Sequence, residues 1–170
     1  MGIAYRLEKQ LSLMTTVWDG AISADAWQQH LREMFDDPDW PSVTRNLTDL
    51  RSADLSAISD ANRVEAVAMY GPHAHHVRGK KSAVVAGDNF DRARSFESHN
   101  EPAGLRLIVF NDLFNACTWL GIDTSTALDT LEWNKSRTPE QQQAQLDGKL
   151  NGLAPAREAE VLAAWKARSR

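Results

Sequence analysis

The order of strand and helix signals predicts an α/β domain with a mostly parallel sheet. Three observations carry this. Short apolar, β-branched runs alternate with amphipathic helical stretches from residue 3 to residue 121 in the order ββαβαβαβα, which calls for crossover units. The opening pair supplies an antiparallel edge. Beyond Ile122 strand signals stop and only helical stretches follow. With 170 residues, 42% apolar and 25% charged, the chain falls in the one-domain range and outside the composition of disordered segments.

The elements follow in order. Ile3 to Trp18 reads as two strands around a turn near Glu8–Gln10, with Leu11, Leu13, Thr15 and Val17 on one face of the second and Met14, Thr16 and Trp18 on the other. Asp19-Gly20 ends that strand with turn chemistry. Ser23 is an N-cap for a helix to about Asp36, whose stripe is Trp27, Leu31, Met34 and Phe35. Pro38 and Pro41 bracket Trp40 in the following loop. Thr44–Arg51 is the next strand. Ser59 caps a second helix carrying Val64, Val67 and Ala68 on one side, closed by Gly71-Pro72. Lys81–Gly87 has the continuous apolar character of a strand covered on both faces. A short helix over Asp91–His99 precedes Leu105–Phe110, the clearest strand in the chain, and a helix through Phe114, Cys117 and Leu120 ends at Gly121. Residues 1–122 thus form the α/β domain. Residues 123–170 form a helical extension of three stretches (Ser125–Lys135, Pro139–Leu150, Pro155–Arg168) that packs on the domain or on a second copy.

Composition narrows function by exclusion. A formal net charge of −4 argues against a nucleic-acid binder with a broad basic surface, and no segment reaches the roughly 20 apolar residues of a membrane span. The start of the chain has no secretory apolar segment, so the cytoplasm is the expected compartment. Cys117, the single cysteine, excludes an internal disulfide and reads as a small buried hydrophobe. Neither a phosphate-cradling Gly-rich loop nor a nucleophile-elbow motif occurs, and the sequence calls for no cofactor.

The phrases at 15–23 (Thr-Thr-Val-Trp-Asp-Gly-Ala-Ile-Ser), 46–54 (Asn-Leu-Thr-Asp-Leu-Arg-Ser-Ala-Asp), 81–87 (Lys-Ser-Ala-Val-Val-Ala-Gly) and 109–121 (Val-Phe-Asn-Asp-Leu-Phe-Asn-Ala-Cys-Thr-Trp-Leu-Gly) resemble, in order and spacing, the SpoIIAA-like proteins of the STAS-domain family. The resemblance covers roughly residues 3–121. It implies a four- or five-stranded sheet in a βα superhelix, the fold of anti-sigma factor antagonists and one related to Sec14-like lipid carriers. In the antagonists a serine at a helix N-terminus is phosphorylated and controls partner binding. By position that serine corresponds to Ser59, in a loop that here reads Ala57-Ile58-Ser59-Asp60.

Three groups of residues are candidates for function. Asp49, Arg51, Asp54, Ser59 and Asp60 form the expected partner-recognition loop, with Asp49 at the carboxyl end of a central strand, where open α/β sheets bind ligands. His73, His75 and His76 are a possible metal site: in an extended loop His73 and His75 point to one side. Six tryptophans are many for the length; Trp27 and Trp119 have core spacing, whereas Trp18, Trp40, Trp133 and Trp165 are candidates for a pocket or a dimer surface. The leading expectation is a non-enzymatic regulatory module that binds a protein partner and forms a homodimer. The alternative is a carrier or sensor of a small apolar ligand lying between the sheet and the C-terminal helices.

Overall fold

The computed structural model describes residues 2–100, 104–135 and 163. Strand β1 (Gly2–Glu8) returns through a 3-10 turn at Lys9–Leu11 into β2 (Leu13–Ala21), with Ser12 at the reversal in left-handed backbone, φ +48°. Helix α1 (Ala24–Asp36) follows, its first turn closed by Ser23 Oγ accepting from the Ala26 N–H. Then come β3 (Arg45–Asp54), α2 (Asp60–Ala68), the short α3 (Ala74–Val77), β4 (Lys81–Val85), α4 (Phe90–Asn100), β5 (Arg106–Phe110), α5 (Leu113–Leu120) and α6 (Thr124–Lys135).

The five strands lie side by side in chain order. β1 is antiparallel to β2, and all other neighbours are parallel. Because every crossover steps in the same direction, crossovers of one hand place their helices on the same face. That face carries one core, in which Leu31 and Met34 of α1, Ala66 of α2 and Ala93 and Phe96 of α4 meet Met14, Trp18, Val84 and Val109 of the sheet. After β5 the chain turns back. α5 packs on β4 and β3, α6 reaches β2 and β1, and together they cover the second face through Leu113, Ala116, Cys117, Leu120, Ala127 and Leu131, against Leu13, Val17, Leu47, Ala83 and Val85. Successive strand residues therefore divide between the two cores, as a two-residue side-chain period requires. No helix of the described residues is long and apolar enough to cross a membrane.

The structure corrects several sequence expectations. Asp19-Gly20 does not end β2: the register slips between Val17 and Asp19, and the strand runs on to Ala21 with Gly20 at φ +69° pairing Ala53. On α2 the buried positions are Arg63 and Ala66, while Val64 is 57% exposed. The Arg63 guanidinium lies 5.2 Å from the Phe96 ring, so a long side chain fills the place expected for an aliphatic one. Trp18 and Trp40, the candidates for a pocket or a dimer surface, are buried in the core, Trp18 beside Trp27, and each lines an internal space and not a surface. Trp119 is only half-buried. Of the extension, α6 packs on the sheet through Leu131, with Leu128 more exposed. The side chain of Trp133, the stretches 139–150 and 155–168, and Trp165 lie outside the described residues, Ala163 apart.

Candidate ligand-binding cavity

A central strand covered on both faces should be apolar throughout. Here the face turned toward α1, α2 and α4 carries Thr16 on β2, Asn46 and Thr48 on β3, and Ser82 on β4, all but Asn46 buried and Asn46 half-buried. Asn46 stands next to Ser82 across the ladder. Its Nδ2 donates to Ser82 Oγ at 3.2 Å and to Thr48 Oγ1 at 3.4 Å. Its Oδ1, however, is buried and accepts nothing among the described residues; the same holds for Trp18 Nε1, which has no acceptor, and for Thr16 Oγ1.

Above this polar strip lies a cavity of about 70 Å³. The sheet contributes Met14, Trp18, Asn46, Thr48, Leu50, Ser82, Val84 and Leu107 as its floor; α1 contributes Trp27, His30, Leu31 and Met34; Val67, Tyr70, Phe96 and Leu105 close it. Edge-on contacts of Trp27 with Trp18 (5.6 Å) and Phe96 (5.3 Å) make an aromatic wall. Among the described residues none of the lining side chains is a carboxylate, lysine or arginine. Burial pulls the His30 imidazole down to about 4, so it is neutral at physiological pH, and burial pushes the Tyr70 phenol up to about 12. The cavity thus offers an apolar, aromatic interior with neutral donors and acceptors.

A smaller space of about 20 Å³ adjoins it, sharing Met14, Met34, Asn46, Tyr70 and Leu105 as walls and adding Trp40, Val43, Arg45, Val77 and Lys80. Lys80 is 9% exposed. Its ammonium donates to the Trp40 carbonyl at 2.7 Å and sits 4.1 Å from the Trp40 ring centre. Burial lowers it to about 8.

The residues expected to form a recognition loop are each tied to a near neighbour in sequence. By alternation Asp49 lies on the face of β3 opposite Asn46 and Thr48. It is 1% exposed and held by Arg51 through Nε (2.9 Å), the second guanidinium nitrogen (2.9 Å) and the backbone N–H (3.1 Å). Asp54 accepts from the Ser56 N–H at 2.9 Å, and this bond holds its carboxyl below the usual range. Ser59 forms a capping box with Asn62, its hydroxyl donating to Asn62 Oδ1 at 2.8 Å and accepting from the Asn62 N–H at 3.2 Å. Asp60 pairs with Arg63. Each of these side chains is engaged in a local contact.

The histidine segment is helical, not extended. Pro72 opens a 3-10 turn over Gly71–His73 and α3 follows at once. At roughly 100° per residue, His73 and His75 then point to different sides. His73 stacks on Phe35 at 4.2 Å and His75 faces His76 at 3.9 Å. Among the described residues no three His, Cys, Asp or Glu side chains converge as a metal site.

Sequence reasoning missed the cavity, although its signal was present: Thr16, Asn46, Thr48 and Ser82 fall at alternate positions of adjacent buried strands and so share one face. No family model matches the chain, and no curated protein matches it. Fold and cavity together define an α/β domain with an internal, neutral, aromatic-lined space.

Proposed function

We propose that this domain is a non-enzymatic carrier or sensor of a small, mostly apolar ligand, built on a STAS-like, SpoIIAA-like scaffold. The scaffold reading is supported by the sequential strand order with α1, α2 and α4 on one face, the arrangement the family resemblance implies. The ligand reading rests on one observation above all: Trp18 Nε1 and Asn46 Oδ1 belong to cavity walls and lack partners among the described residues. A buried donor or acceptor left unsatisfied costs about 1–3 kcal/mol. A ligand with an apolar body and a neutral hydrogen-bonding group recovers that cost. Among the described residues no hydrogen bond joins Ser82 to His30, and Ser82 Oγ takes its bond from Asn46. This favours binding over nucleophilic chemistry.

A protein-binding role fits the same architecture through α2. Val67 lines the cavity while Val64, one turn earlier and near Ser59 and Asp60, is 57% exposed. A ligand that shifts α2 would alter the surface offered to a partner.

The test is a titration with 2-naphthol, a neutral aromatic with one hydroxyl, followed by tryptophan fluorescence. Saturable quenching is expected in the native chain, lost in Ser82→Leu, whose added side chain fills the cavity floor. Undiminished binding by a folded Ser82→Leu, or none by the native chain, contradicts the reading.

A further inference from the structure

A buried ammonium ordinarily has a carboxylate or several acceptors around it, because removing the charge from water costs several kcal/mol. Lys80 has neither among the described residues. Of its three N–H donors one reaches the Trp40 carbonyl, and no carboxylate pairs with it. Among the described residues the groups around it are basic or neutral. Arg45 of β3 touches the same space, but its guanidinium is bound to the carbonyls of Leu11, Leu120 and Gly121, on the α5 side of the sheet. His76 of α3 and His73 of the preceding turn lie edge-on to Trp40, at 6.2 and 6.1 Å. Among the described residues none that lines either cavity is acidic.

The two spaces share five residues, so an apolar chain in the larger one has its natural extension toward Lys80. We infer that the ligand is an amphipathic monocarboxylate whose anionic head binds the Lys80 ammonium while its apolar body occupies the aromatic cavity. This rests on the cavity reading above and specifies its ligand class. Asn46 and Trp18 serve a neutral polar group on the body of the ligand, and Lys80 supplies the single charge that selects an acid over the corresponding alcohol. The depressed proton affinity of Lys80 is what an ammonium awaiting its counter-ion displays.

Sodium octanoate and 1-octanol share a chain and differ at the head. Titrated into the full chain at pH 7 by calorimetry, octanoate is expected to bind at least about tenfold more tightly, equivalent to about 1.4 kcal/mol. Lys80→Met, matched in length and apolar, should abolish the difference while leaving octanol within about threefold. A wild-type measurement guards against a variant that fails to fold. With Lys80 near 8, octanoate should weaken about tenfold between pH 7 and pH 9 as the ammonium is lost, and octanol should not change. Equal affinity for acid and alcohol, or an acid preference that survives Lys80→Met or is flat with pH, overturns the anionic head and leaves the cavity standing. Failure of both compounds to bind overturns the cavity itself.

Discussion

Asp49 and Arg51 allow the division between architecture and site to be tested by an asymmetry. The carboxylate is 1% exposed and the guanidinium 38%. Removing the exposed partner in Arg51→Met takes away both guanidinium hydrogen bonds to a buried carboxylate and leaves it the backbone N–H of residue 51 from this pair. Breaking a buried pair in that way costs about 3–5 kcal/mol. Removing the buried charge in Asp49→Asn leaves an arginine that can turn to water, and the loss should be about 1–2 kcal/mol. Replacing both, Asp49→Leu with Arg51→Met, should recover most of the deficit, since apolar pairs of similar volume often equal a buried ion pair. The assay is urea unfolding, with midpoints compared at unchanged slope. For a domain of this size about 2–4 °C is lost per kcal/mol, so Arg51→Met should melt roughly 6–20 °C lower. If Arg51→Met costs no more than Asp49→Asn, the pair is not a structural clamp and a recognition role for Asp49 returns.

Three further outcomes follow from burial. Thr16 is 1% exposed with its hydroxyl unpartnered among the described residues, so Thr16→Val should raise stability by about 1–2 kcal/mol, whereas a loss would mean the hydroxyl is bonded. Leu131→Ala should cost about 2–5 kcal/mol and Leu128→Ala under about 1 kcal/mol; equal small effects would remove α6 from the core. His30 falls from 6.5 unfolded to about 4 folded. Between those values the unfolded chain binds a proton the folded one lacks, so stability declines as pH falls through that window, by up to about 1.4 kcal/mol per unit. His30→Phe should flatten that decline, and an unchanged pH profile would contradict the burial of a neutral imidazole.

Local rules carried the fold well where one residue decides one feature. Ser23 and Ser59 cap the helices they were expected to cap, and Gly121, at φ +68°, ends α5. The strand order was legible because short alternating segments leave few ways to cross over. What local pattern could not supply was phase and depth. Val64 looked like a core residue because nothing in the sequence reveals that Arg63 can lie under Phe96. His73 and His75 suggested a shared side only in extended backbone, which the helical turn from Pro72 replaces. The cavity was missed for a related reason. Charged residues draw attention, yet Asp54, Ser59 and Asp60 spend their hydrogen bonds on neighbours, while the neutral Asn46, Thr48 and Ser82 face an interior that only the packed helices create.

The central claim, that the space beneath α1, α2 and α4 holds a small ligand, is tested most directly by native mass spectrometry of the full chain purified without organic solvent or detergent. A ligand-loaded chain shows a discrete mass excess that disappears on denaturation and yields one apolar acid in the extract at near one-to-one ratio. A chain that arrives at its bare sequence mass, and gains no mass from added octanoate or 2-naphthol, would contradict the claim.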